Sequence, residues 1–187
     1  MYTPYQSKWA IYIIAHLLIK FFEVFMPADN KKISKKREAS MGKQIGGRAH
    51  IASGALWFQK GDLSNDLVII EDKFTHKDFF SITTTILYKI EKEGKKEGKI
   101  PFVTVGFHTQ KFSVGIINEK YLLSPPAEGI VHFVSKGKSF KLDFTTLRNS
   151  YLTDASSYLL KITIEGINYY IIEWETLIDK LDSFIAI

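Results

Sequence analysis

The chain's 187 residues make room for one domain of ordinary size, or one domain with an appendage. Hydrophobic residues at 45% and charged residues at 24% exclude a disordered tail, and the absence of cysteine excludes disulfide staples, thiolate zinc sites and a cysteine nucleophile. The net charge of +5 is uneven: Lys31, Lys32, Lys35, Lys36, Arg37, Lys43 and Arg48 crowd the stretch from Lys31 to His50 against one acid, Glu38. Such a segment suits a phosphate backbone or another polyanion; on charge alone it equally suits a solvated arm or helix face.

Trp9 to Met26 reads WAIYIIAHLLIKFFEVFM, largely apolar but interrupted by Lys20 and Glu23. Its uncharged run, Trp9 to Ile19, is 11 residues, short of the ~20 that span a bilayer. No small-residue cleavage site follows, which disfavours a secretory signal. Three readings stay open: an apolar helix packed on the domain or on a second subunit, a segment lying on a membrane surface, or an extension upstream of a true start at Met26. The stretch from Met26 has the look of a cytosolic beginning, so a cytoplasmic protein is expected.

Ser34 to Ile45 has helix-compatible composition, with Ser34 as a candidate N-cap and Gly46-Gly47 as the stop. Arg48 to Phe58 is rich in small and β-forming residues, punctuated by Ser53-Gly54. Leu67 to Phe74 is the clearest strand, and Ser64-Asn65 before it is a turn signal. Ser81 to Glu97 is expected to be a helix capped by Ser81, with Ile82, Ile86 and Ile90 facing inward and a charged tail ending at Gly98. Pro101 to Phe107 reads as a strand, with Lys111 to Ile117 as its partner. Phe140 to Leu142 then leads into a short helix, Phe144 to Asn149. Tyr158 to Ile172 reads as a hairpin turning at Glu165-Gly166, and a last helix is expected from Trp174 to Phe184. This final series echoes the order from Phe80 to Tyr121, with too little identity to establish a duplication. The alternation predicts an α/β fold: an N-terminal apolar helix and linker (1–30), a core (31–123), and a C-terminal hairpin-and-helix extension (124–187) of the same domain.

The stretch with chemistry runs from Ser53 to Lys73, SGALWFQKGDLSNDLVIIEDK. Strand side chains alternate, so Glu71 and Lys73 share a face and Asp72 takes the other. A carboxylate beside an amine suits metal-dependent phosphodiester hydrolysis. The carboxylate holds a divalent cation, and the ammonium orients the attacking water or offsets transition-state charge. Magnesium prefers several oxygen ligands; Asp62 is the natural second carboxylate and Glu38 the third. Alone, Glu-x-Lys equally describes a cross-face ion pair. The register is also open. A two-residue turn at Ser64-Asn65 would set Asp62 opposite Leu67, whereas a wider or bulged turn would bring it to Glu71, with Asp66 in reserve.

Taken in order, these residues resemble the PD-(D/E)xK, or restriction-endonuclease-like, nucleases, and within them the archaeal and phage-type Holliday junction resolvases. The matching pieces are Arg37-Glu38-x-Ser40, Ser53-Gly54-Ala55, Lys60-Gly61-Asp62, Glu71-Asp72-Lys73-Phe74-Thr75, Ser81, and Gly98-Lys99-Ile100-Pro101 leading to Phe107. They span Lys35 to Phe107, under half the chain. The resemblance implies a mixed sheet flanked by helices and a homodimeric Mg²⁺-dependent endodeoxyribonuclease, with Mn²⁺ as a substitute, acting on four-way or branched DNA. It makes Glu38, Asp62 and Glu71 metal ligands and Lys73 the catalytic lysine. Lys35, Lys36, Arg37, Lys43, Arg48 and Lys60 are then candidates for the nucleic-acid surface. Gly61 stands where the family name has Pro. Asp72 puts an acid where a small or apolar residue is commoner, either as a further ligand or as a mark of an edge strand.

The remaining candidates have plainer readings. The histidines lack metal-ligand spacing. His50 and Ser53 could line the site or lie at the surface. Lys89 to Lys99 mixes charge signs, as a solvated helix face does, with a DNA backbone contact as the alternative. Tyr169, Tyr170 and Trp174 suit core packing better than a base-stacking platform. A duplex-cutting nuclease, a non-catalytic nucleic-acid-binding module and a membrane-associated protein remain as competing functions.

Overall fold

The computed structural model describes residues 30–49, 62–125, 130–153 and 158–184. The readings of Trp9 to Met26, Ser53-Gly54 and Lys60 lie outside these residues. The chain divides into two compact units, Met1–Lys36 and Arg37–Ile187. Of the first unit, the described part is the opening of helix α1 (Asn30–Gln44).

After α1 come the short strands β1 (Arg48–Ala49) and β2 (Leu63–Ser64), then β3 (Val68–Thr75), β4 (Phe79–Thr83), helix α2 (Thr84–Glu97), β5 (Ile100–Phe107), β6 (Phe112–Asn118) and a 3₁₀ turn, Glu119–Tyr121. The second half carries β7 (His132–Ser135), β8 (Ser139–Asp143), α3 (Phe144–Thr153), β9 (Tyr158–Ile164), β10 (Ile167–Glu173), α4 (Trp174–Asp179) and α5 (Leu181–Phe184). Eight strands form one mixed sheet in the order β1-β2-β3-β5-β6-β10-β9-β7, and β4 pairs with β8 in a separate ribbon.

Both faces of the sheet's central strands β3, β5, β6 and β10 carry buried residues, which is why these strands are apolar runs rather than alternating ones. On one face Ile69, Val103, Ile116 and Ile171 pack with Leu87 and Ile90 of α2 and Leu147 of α3. On the other, Ile70, Phe102, Ile117 and Ile172 pack with Met41 and Ile45 at the end of α1 and with Trp174 and Leu177 of α4. Among the described residues no helix is long and apolar enough to cross a membrane.

Several boundaries differ from the sequence reading. α1 starts at Asn30, so Ser34 lies inside the helix. Ser81 belongs to β4, and the cap of α2 is Thr83, whose hydroxyl accepts the N–H of Ile86 at 3.4 Å. The stripe that α2 buries is therefore Thr84, Leu87, Ile90 and Gly94; Ile82 is buried from the strand before it. The expected last helix breaks at Lys180 into α4 and α5. The Glu165-Gly166 hairpin forms as read. Both turn residues take positive φ, 49° and 77°, the geometry of a two-residue turn matched to strand twist, and glycine accepts it without strain.

The C-terminal strands extend the same sheet, and they do so by repeating the first half. β3 pairs parallel with β5, and β7 with β9; hairpins β5-β6 and β9-β10 follow. The two halves meet where β6 pairs antiparallel with β10, Ile116 opposite Ile171, and again where β4 pairs with β8.

Candidate active site

β3 is an interior strand, flanked by β2 and β5, and Glu71 and Asp72, on its opposite faces, are both buried. Glu71 and Lys73 face α2, while Asp72 faces α1.

Asp72 does not mark an edge, since β3 lies between β2 and β5. Its side chain is 1% exposed and is gripped by Arg37, whose Nε donates to both carboxylate oxygens at 3.1 and 2.9 Å and whose Nη2 donates to Oδ1 at 3.1 Å. The Thr104 hydroxyl adds a bond at 2.5 Å, and Arg37 Nη1 reaches the Ser113 hydroxyl at 2.8 Å. Burial pushes the Asp72 carboxyl above its ordinary range, with Arg37 and Thr104 pulling against it. The guanidinium lies over Gly106, where any Cβ would strike it. Arg37 is thus committed to the interior, which removes it from the expected nucleic-acid surface. Lys35, Lys36 and Lys43 of that set are exposed. Tyr169, Tyr170 and Trp174 are buried core residues.

On the other face the β2–β3 connection decides which carboxylate joins Glu71. The tight turn at Ser64-Asn65 is not made. Asn65 Oδ1 accepts the N–H groups of Leu67 and Val68 at 2.8 and 2.7 Å, and its own N–H donates to the Val68 carbonyl at 3.1 Å. The ladder therefore begins at Ser64 opposite Ile69 and Leu63 opposite Ile70. Asp62 follows with an irregular step, donating its N–H to the Ile70 carbonyl at 2.8 Å. Its Oδ2 accepts the N–H of Asp72 at 2.9 Å and lies 4.0 Å from Lys73 Nζ. The turn, shifted to Asp66-Leu67 between Asn65 and Val68, thus lays the Asp62 carboxylate against the Glu71–Lys73 stretch.

Glu71, 6% exposed at its side chain, accepts Lys73 Nζ at Oε1 at 2.6 Å. It also accepts a lysine that the motif does not contain: Lys89 of α2 reaches both oxygens at 2.8 Å. Burial raises the Glu71 pKa, but the bonds and charges of Lys73 and Lys89 outweigh it and hold the carboxyl below its ordinary range. Burial lowers the Lys89 pKa, and Glu71, Glu93 and Asp62 more than reverse this. Lys89 escaped the sequence reading because it lies in a stretch of mixed charge. Its signal is helical phase: it stands just before the buried Ile90, at the rim of the packed stripe.

Among the described residues no three His, Asp or Glu side chains gather. Glu38 therefore does not complete a three-carboxylate set with Asp62 and Glu71, although its neighbour Arg37 reaches β3. The set that does gather is two carboxylates and two ammonium groups, charge-balanced as it stands. Two hard oxygen donors from paired strands fit Mg²⁺, which is held by one or two carboxylates while water and phosphate complete its shell. A groove of about 430 Å³ lined by Gln44, Asn65, Leu67, Asp179 and Lys180 shares none of these residues.

No family model matches the chain, and no curated protein matches it in sequence.

Proposed function

We propose that the chain is a metal-dependent endodeoxyribonuclease of the PD-(D/E)xK type that hydrolyses phosphodiester bonds in branched DNA. The observation that carries this reading is the meeting of Asp62, at the entry to β2, with the buried Glu71 and the half-buried Lys73 of β3. The element order supports it as well: a helix, an antiparallel set β1-β2-β3 that carries Glu-x-Lys, the ribbon strand β4, a helix, then a strand parallel to β3.

Asp62 and Glu71 would hold Mg²⁺ or Mn²⁺, which supplies Lewis-acid stabilisation of the phosphoryl oxygens and a more acidic water. Lys73, 29% exposed, holds its ammonium on Glu71, beside the proposed metal site. There it orients the attacking water and offsets charge developing on the phosphate. The burial of Glu71 keeps bulk water from screening these charges. Exposed Lys35, Lys36 and Lys43 belong to the DNA surface in this reading. A homodimer would present two such sites to two strands.

The test of substrate is competition. A labelled four-way junction is incubated with the protein and Mg²⁺ beside excess linear duplex of the same sequence. Paired cuts near the branch that survive the competitor support the branched substrate, whereas equal cutting of duplex discards it and keeps the chemistry.

A second reading, a non-catalytic DNA-binding module, is favoured by the charge balance of the cluster, in which each carboxylate already has a cation nearby. It predicts that DNA is bound and left intact in Mg²⁺ or Mn²⁺.

A further inference from the structure

An ordinary Glu-x-Lys pair leaves one carboxylate oxygen for other partners, and here Lys89 takes up both. The two lysines are held differently. Lys73 rises from an interior strand and is 29% exposed, with Asp62 as well as Glu71 nearby. Lys89 reaches down from α2, is 47% exposed, and has Glu93 one helical turn along as another acid in range. The chain can therefore lose the Lys89 contact by a side-chain rotation into solvent, with no change of backbone and little loss of packing. A cation that binds both oxygens of Glu71 competes directly with Lys89, because both need the same lone pairs.

We propose that Lys89 is a cationic placeholder on Glu71: it occupies the carboxylate until a divalent ion displaces it, and the freed ammonium then engages the DNA phosphate. This rests on the reading of Asp62 and Glu71 as metal ligands. The placeholder gives the buried Glu71 carboxylate a second counter-charge beside Lys73. It also ties metal uptake to DNA, since the released ammonium gains a phosphate partner only when substrate is present.

The test is calorimetric titration of Mn²⁺ into the full chain, without DNA, for wild type, Lys89→Ala, Lys89→Arg and Glu71→Gln, with folding checked by circular dichroism. Lys89→Ala is expected to bind Mn²⁺ about three- to tenfold more tightly, the scale of one partly exposed ion pair, while its KM for junction DNA rises. Lys89→Arg should stay near wild type, and Glu71→Gln should lose binding. A misfolded variant would weaken both binding steps, so opposite movements are diagnostic. Mn²⁺ binding by Lys89→Ala that equals or falls below that of an active wild type overturns the placeholder and leaves the metal site standing. No binding by any variant, with no cleavage, overturns both.

Discussion

Arg37 and Asp72 illustrate what single residues can and cannot announce. The sequence marks Asp72 as out of place on an apolar strand, but its partner lies 35 residues away on another element. Local reading therefore left it as a ligand or an edge signal and gave Arg37 to DNA. Removing one member of a buried pair strands the other charge. Arg37→Met should cost about 3–5 kcal/mol in urea denaturation, and Arg37→Met with Asp72→Val should recover most of it. Recovery by the double variant separates an interior ion pair from a DNA contact. Lys89 is hard to read for the same reason: its helical phase sets it at the rim of the buried stripe, but the carboxylate it meets lies 18 residues earlier. Glu71 and Lys73 were legible because a charged pair two residues apart on an apolar strand must share a face.

At the scale of elements, β3, β5, β6 and the β9–β10 hairpin could be read directly, since apolar runs and turn residues act within a few positions. The start of α2 could not. Ser81 reads locally as the cap, but β4 pairs with β8, some sixty residues on, and holds the chain as a strand through Thr83, which becomes the cap. The β2–β3 turn is the element on which the site depends. Asn65 closes it through two N–H bonds, and the register this sets brings Asp62 to Glu71. Asn65→Ala should lower stability by roughly 1–2 kcal/mol and weaken Mn²⁺ affinity several-fold with every carboxylate intact. Unchanged metal affinity in a folded Asn65→Ala would detach the turn from the site.

At the scale of the whole molecule, the sequence carried the echo between the halves but not its arrangement, because the pairings that match, β3 with β5 and β7 with β9, join strands far apart in the chain. Glu119, at the end of the first half, ties the two together. It accepts Lys161 of β9 at 2.9 Å, and Asn168 and Tyr170 of β10 at 2.6 and 3.2 Å. The Lys161 bond, with the others, holds its carboxyl below the ordinary glutamate range. That stabilisation is complete above the unfolded-state value of about 4.3 and is lost as pH falls through the lower folded value. Glu119→Gln should therefore be less stable than wild type by up to ~1 kcal/mol at neutral pH, with the gap closing in acid denaturation below that point. The central claim, however, concerns Glu71. Its most direct measurement is single-turnover cleavage of a labelled four-way junction in Mg²⁺ and in EDTA, by wild type and by Glu71→Gln of equal stability. The account predicts cutting by wild type in Mg²⁺ alone and a loss of at least about a hundredfold in the variant. Cutting that persists in EDTA or in Glu71→Gln, or no cutting by folded wild type, would contradict it.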